Sequence, residues 1–138
     1  MNPISDFRDF ILQKRLAIVG ASNDRSKYGN IVYRNLRSKG YAVFGVNPKL
    51  ESVEGDKCYP NLKSLPGPVD GIVTIVPPWV TEKIVREAAE LGITRVWMQE
   101  GSESADAIAF SEAQGMNTIY DQCVMVESNY RDLVKKEG

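Results

Sequence analysis

At 138 residues, with 43% hydrophobic and 25% charged side chains, the chain has the size and balance of one ordinary soluble domain, with material for a single good core and too little for two. Seventeen basic against eighteen acidic residues leave a net charge of −1, which excludes a chain built to coat nucleic acid or an anionic membrane and makes any anion site a local one. No apolar run approaches the ~20 residues of a membrane span, and Asp6, Arg8 and Asp9 interrupt the N-terminal apolar residues, so neither a membrane segment nor a secretory leader is expected and the expected location is the cytoplasm. The chain has no histidine, which removes the commonest general base and the commonest metal ligand, and no metal site is expected. Two cysteines, Cys58 and Cys123, are expected to be reduced.

A short amphipathic helix is read over residues 4–13. Strand and helix then alternate: strand 16–20, helix 30–39, strand 42–46, strand 71–76, helix 80–91, strand 95–99, helix 105–114, strand 117–120 and a closing helix over about 126–135. Short apolar runs with β-branched members mark the strands, and spacing such as Ile84, Val85, Ala88, Leu91 marks the helices. Gly40, Gly92 and Gly115 each follow a helix where a C-terminal glycine belongs. Continuously apolar strands separated by helices predict an α/β, Rossmann-like, doubly wound parallel sheet of five strands covered by helices on both faces. One domain is expected over 1–138, with 1–13 as an N-terminal helix and 14–130 as the core.

In such a sheet a ligand lies outside the carboxyl ends of the strands, beside the first strand-to-helix turn. That turn runs from Leu16-Ala17-Ile18-Val19 into Gly20-Ala21-Ser22-Asn23-Asp24-Arg25-Ser26-Lys27-Tyr28-Gly29, where unpaired amides and a helix dipole favour an anion. A P-loop is excluded because Arg25-Ser26 stands where Gly-Lys should be. The dinucleotide fingerprint fits little better, since Ser22 and Arg25 occupy its second and third glycine positions and Gly29 comes too late. An ordinary tight turn is the competing reading. The other strand ends are Val46-Asn47-Pro48-Lys49, Val76-Pro77-Pro78, Gln99-Glu100-Gly101-Ser102 and Asp121-Gln122-Cys123. The first of these offers Asn47, a proline and a cation where an NAD site carries an acidic residue, so Lys49 points to an extra phosphate on the ribose, as in NADP or coenzyme A. Pro77-Pro78 reads equally as an apolar ledge for a ligand or as a helix start.

The run Val19-Gly20-Ala21-Ser22 with Lys27-Tyr28-Gly29-Asn30, then Gly40-Tyr41-x-Val43 leading to Val46-Asn47-Pro48, Gly55-x-Lys57-Cys58-Tyr59, Val76-Pro77-Pro78, Trp97-x-Gln99-x-Gly101 and Cys123-x-Met125-Val126-Glu127 resembles, in order and over residues 14–130, the small stand-alone CoA-binding proteins. These are similar to the CoA-binding domain of the succinyl-CoA synthetase α subunit, in which a Gly-rich loop, a Pro-Gly-Lys segment and a Thr-Glu-Gly segment contact the coenzyme. The matching positions here are 22–25, Pro48-Lys49 with the lysine one position earlier, and Gln99-Glu100-Gly101. What the resemblance implies is coenzyme A, free or acylated. Ser22, Lys27 and the amides around Gly29 and Asn30 would hold its phosphates, with Gly20, Ala21, Arg25 and Tyr28 in the same loop. Lys49, beside Asn47 and Pro48, would face the 3′-phosphate, and Val76, Pro77, Pro78, Gln99, Glu100 and Gly101 would complete the site.

Ligase activity is not carried over, since the synthetase's phosphohistidine needs a residue type this chain lacks. Asp70, Glu100, Asp121 and Glu127 form no spaced pair with a nucleophile, so no catalytic constellation is expected. Cys123, after a strand at the ligand face, is a candidate for a mixed disulfide with CoA under oxidation, against the reading of a plain buried cysteine. Two other readings stay open: an NADP-type dinucleotide binder, and a Rossmann-like adaptor acting through protein contacts, with Trp79 and Trp97 as candidate contact residues and Trp97 expected in the core. A homodimer is compatible with a domain of this size.

Overall fold

The computed structural model describes residues 6–137. Seven strands make one sheet: β1 (Arg15–Val19), β2 (Ala42–Val46), β3 (Ser52–Val53), β4 (Asp56–Tyr59), β5 (Gly71–Thr74), β6 (Arg95–Met98) and β7 (Asn117–Ile119). The helices are α1 (Phe7–Ile11), α2 (Tyr28–Ser38), α3 (Pro78–Glu90), α4 (Ala105–Ala113), α5 (Val124–Glu127) and α6 (Arg131–Glu137). Strand order is β3-β4-β2-β1-β5-β6-β7, with every pairing parallel except that of β3 with β4.

Strand side chains alternate between faces, and both faces are buried. Leu16, Ile18, Val73 and Trp97 point to one side, where Phe10 and Ile11 of α1 and Val32, Tyr33 and Leu36 of α2 close over them. Ala17, Val19, Ile72, Val96 and Met98 point to the other, against Val85 and Ala88 of α3 and Ala107 of α4. The sheet is therefore doubly wound, as the alternating pattern predicts. Trp97 is wholly buried, packs edge-on against Phe10 with ring centroids 5.1 Å apart, and donates its indole N–H to Gln122 O at 2.8 Å. Trp79 is 61% exposed on α3. Helix α1 is pinned to the β7 edge by Asn117, whose side chain accepts from Asp6 N and donates to Asp6 O, while Arg95 pairs with Asp9 at 2.8 Å.

Four expectations are corrected. The sheet has seven strands and not five, because residues 52–59 form the β3–β4 hairpin. Its strands are two and four residues long and carry Asp56 and Lys57, so no apolar run announces them. Helix α2 starts two residues early, at Tyr28, and α3 at Pro78, so the proline reading as a helix start is the one the backbone adopts. The closing helix is broken into α5, a 3₁₀ turn and α6; Lys39 Nζ donates to Met125 O at 2.7 Å, taking a carbonyl that a continuous helix would use itself. The N-terminal helix covers Phe7–Ile11, and positions 4 and 5 of the expected span lie outside the described residues.

The chain leaves β1 toward β2 on one side and reaches β5 on the other, so the switch point of the sheet lies at the carboxyl ends of β1 and β5.

Candidate functional site

Two glycines decide how α2 meets that switch point. Gly20 has φ +100°, and a Cβ there would lie 2.2 Å from Ile75 O. A Cβ on Gly29 would lie 2.0 Å from Gly20 O, so the first turn of α2 rests directly on the end of β1. Sequence spacing puts Gly29 too late for a dinucleotide fingerprint, yet it performs the task of that motif's third glycine, close helix-to-strand approach, with residues 22–27 looped out between. The loop is held by its own side chains. Ser22 Oγ accepts from Asp24 N at 3.0 Å, and Asp24 Oδ1 accepts from Ser26 N at 3.0 Å and from its hydroxyl at 2.6 Å.

The helices that start at this edge differ in what their first turns leave open. Helix α3 has Pro77 at its N-cap and Pro78 at its first position, removing two N–H donors. Helix α4 is capped by Ser104 and has Asp106 in its first turn. The amide of Val124, opening α5, is taken by Gln99 Oε1 at 2.8 Å. Helix α2 has Lys27 at its N-cap with no side-chain cap bond and no acidic residue in its first turn. The positive end of its dipole, with an exposed lysine beside it, is the place on this edge best suited to an anion.

Asn30 and Arg25 are both engaged by a residue that sequence reasoning missed. Glu54 sits in the β3–β4 turn at φ +49°, followed by Gly55 at +84°, the backbone pattern of a type I′ hairpin. Its carboxylate accepts from Asn30 Nδ2 at 2.9 Å and from Arg25 at 3.1 Å, its N–H donates to Asn23 Oδ1 at 3.0 Å, and its carbonyl accepts from Arg37 at 3.1 Å. Asn30 is fully buried; it also donates to Ser22 O at 2.9 Å and accepts from Arg34 at 2.6 Å, so its side chain ties loop, helix and hairpin together. The only local signal for this was Glu54-Gly55 between two short segments, weaker than the usual Asn-Gly or Asp-Gly.

The other predicted residues fall along the same edge. Asn47 donates to Ala21 O at 2.9 Å and accepts from Lys49 N at 2.9 Å, which joins the ends of β1 and β2 and leaves the Pro48-Lys49 turn exposed. Val76 is half-buried, and Pro77 and Pro78 are exposed. On the far side of α2, a cavity of about 340 Å³ is lined by Tyr28, Ile75, Gln99, Glu100, Asp121, Gln122 and Cys123. Gln99 is buried and fixed between Val124 N and Cys123, whose Sγ it approaches at 3.5 Å. Gly101 follows at φ +91°, its N–H donating to Glu103 at 3.0 Å. Thus Tyr28, Gln99, Glu100 and Cys123 share the cavity, whereas Ser22, Lys27 and Lys49 are not among its lining residues. Cys58 is buried elsewhere, in the core beside Val53. Asp70 accepts from the amides of Lys14 and Arg15 and is a structural cap. Among the described residues no cluster of His, Cys, Asp and Glu is arranged to hold a metal, and no helix is long and apolar enough to cross a membrane.

A family model described as the CoA binding domain matches residues 14–129. The chain belongs to that family. It is 30% identical over 135 residues to the α subunit of an ADP-forming acetate–CoA ligase II from Pyrococcus furiosus, covering 90% of this chain and 30% of that one. It is 26% identical over 113 residues to the uncharacterized protein YneT of Bacillus subtilis, covering 82% of this chain and 84% of YneT. A solved structure of a conserved hypothetical protein from Pyrococcus furiosus shares 43% identity and superposes with a TM-score of 0.79, covering 83% of this chain and 98% of that one. The chain spans 30% of the length of the first ligase relative and less of the next two.

The hydrogen bond from Arg25, with that from Asn30, holds the Glu54 carboxyl down at about 2, from an ordinary 4.5. A carboxylate depressed in the folded state contributes stability in full above its unfolded value and loses it as pH falls through the folded one. Glu54→Gln should therefore lower the melting temperature near neutrality and flatten its fall between about pH 5 and pH 2. Circular dichroism melts at stepped pH measure this, and parallel curves for the two proteins would contradict it.

Proposed function

We propose that this chain binds coenzyme A along the carboxyl edge of its sheet, and that it carries, senses or delivers the coenzyme without catalysing a reaction by itself. The observation that carries the reading is the α2 N-terminus, uncapped and free of acidic residues in its first turn, in a chain of the CoA-binding domain family. The pyrophosphate would lie on the Tyr28 and Gly29 amides, with Ser22, Arg25 and Lys27 around it. The close approach of Gly29 to Gly20 O brings those amides to the strand ends. The 3′-phosphate would lie toward Lys49, whose turn is fixed by Asn47 at the end of β2. The ledge of Val76, Pro77 and Pro78 offers apolar surface, and the pantetheine arm would run the opposite way, past Gln99, Glu100 and Gly101 into the cavity.

Calorimetric titration of ligand-stripped protein should give micromolar binding of CoA, weaker binding of dephospho-CoA and weaker still of NADP. Lys27→Met should cost about 1.5 to 3 kcal/mol if the ammonium pairs with a phosphate. Equal affinity for CoA and NADP, or an unaltered Kd in the variant, would contradict the assignment.

Cys123 lines the same cavity, which favours a redox extension of this reading. The Cys123 thiolate would attack one sulfur of CoA disulfide, forming a Cys123–CoA bond and releasing the other half as CoA thiol, with no further oxidant. Non-reducing intact mass after exposure to CoA disulfide should show one CoA adduct that Cys123→Ser abolishes and Cys58→Ser retains. No adduct, or one that survives in Cys123→Ser, would contradict it.

A further inference from the structure

The cavity beside α2 is acidic, and its surroundings bear on which acyl groups a bound coenzyme can carry. Two of its lining residues, Glu100 and Asp121, are exposed carboxylates, and none of the lining residues is a lysine or arginine. Asp121 is held at φ +60°, a left-handed conformation that fixes where its side chain leaves the backbone. Two backbone donors next to the lining residues are committed to the chain's own oxygens: Gly101 N to Glu103 at 3.0 Å and Val124 N to Gln99 at 2.8 Å. Lys39 has its ammonium bound to Met125 O and Ser128 Oγ, both at 2.7 Å. Lys27, one residue before Tyr28, is the cation assigned above to the phosphates.

We propose that this cavity selects the free thiol or a short uncharged acyl group at the end of coenzyme A and rejects acyl groups that end in a carboxylate, with Glu100 and Asp121 as the discriminating residues. The proposal rests on the coenzyme A reading and deepens it. A thioester such as acetyl places only a methyl and a carbonyl here, for which the side-chain amide of Gln122 and the wall of Tyr28 and Ile75 suffice. A dicarboxylic acyl group such as succinyl brings a carboxylate into a space with two like charges and no lining cation. Two like charges at about 8 Å in a water-like medium weaken binding by a factor of roughly five in all, more where water is excluded.

The test compares acetyl-CoA with succinyl-CoA by calorimetry at low salt, in the wild type and in Glu100→Gln/Asp121→Asn, with CoA itself as the reference ligand. Both substitutions are at exposed positions and asparagine tolerates the left-handed backbone, so folding is checked by a melt and is expected to be preserved. The readout is the ratio of the two Kd values within each protein. Succinyl-CoA should bind the wild type about fivefold or more weakly than acetyl-CoA. The ratio should shrink with added salt and approach one in the double variant. A wild-type ratio near one, or a ratio that the double variant leaves unchanged, would overturn the selectivity while CoA binding stands. Failure of CoA itself to bind the wild type would overturn the underlying reading, and the selectivity with it.

Discussion

The contact on which the rest of the site depends is the approach of α2 to the end of β1, where any side chain at position 29 would collide with Gly20 O at 2.0 Å. With no Cβ at either glycine, the helix starts at the switch point between β1 and β5 with its first turn against the end of β1. The same approach forces residues 22–27 outward as a loop, whose internal bonds through Ser22 and Asp24 are joined by a hold from outside the turn. The hairpin supplies that hold: Asn23 bonds to the backbone of Ser52 and Glu54, Arg25 and Asn30 to the Glu54 carboxylate, and Arg37 to Asp56 at 2.8 Å. Tyr33 adds a 2.6 Å bond to Asp56, and burial with that bond pushes its hydroxyl well above the usual phenol range.

This arrangement separates two jobs along one edge. On the β2 side of α2 the exposed cations are Arg25, Lys27 and Lys49, with Asp24 and the Glu54 carboxylate among them; on the β5–β7 side the cavity is lined by the carboxylates Glu100 and Asp121 and by the half-buried Cys123. A ligand that is polyanionic at one end and neutral at the other matches that polarity. The N-termini of the neighbouring helices reinforce it, because prolines at the start of α3 and the Ser104 cap with Asp106 on α4 leave those ends poorly suited to phosphate. Trp97 links core to site, since its buried indole fixes the carbonyl of Gln122 on the cavity wall.

How much of this could be read beforehand follows from how local each signal is. The parallel core was legible because runs such as Leu16 to Val19 and Ile72 to Val76 are apolar on both faces, and the ends of those strands named most of the edge. The hairpin was not, because two- and four-residue strands at an edge are specified by pairing with β2 and by partners such as Tyr33 and Asn23, 23 and 31 residues away, not by composition. For the same reason Glu54 was overlooked, and with it the bonds that occupy the buried side chain of Asn30, a residue read only for its amide. Gly29 was seen but its task was not, since a fixed motif spacing does not allow for the longer loop.

The central claim is that the coenzyme's pyrophosphate rests on the first turn of α2. An amide-resolved NMR titration with CoA tests it most directly. The account predicts the largest shifts at Tyr28 and Gly29, reproduced by dephospho-CoA, with the difference between the two ligands concentrated at Lys49 and its neighbours. Shifts confined to other segments, with Tyr28 and Gly29 unmoved at saturation, would contradict it.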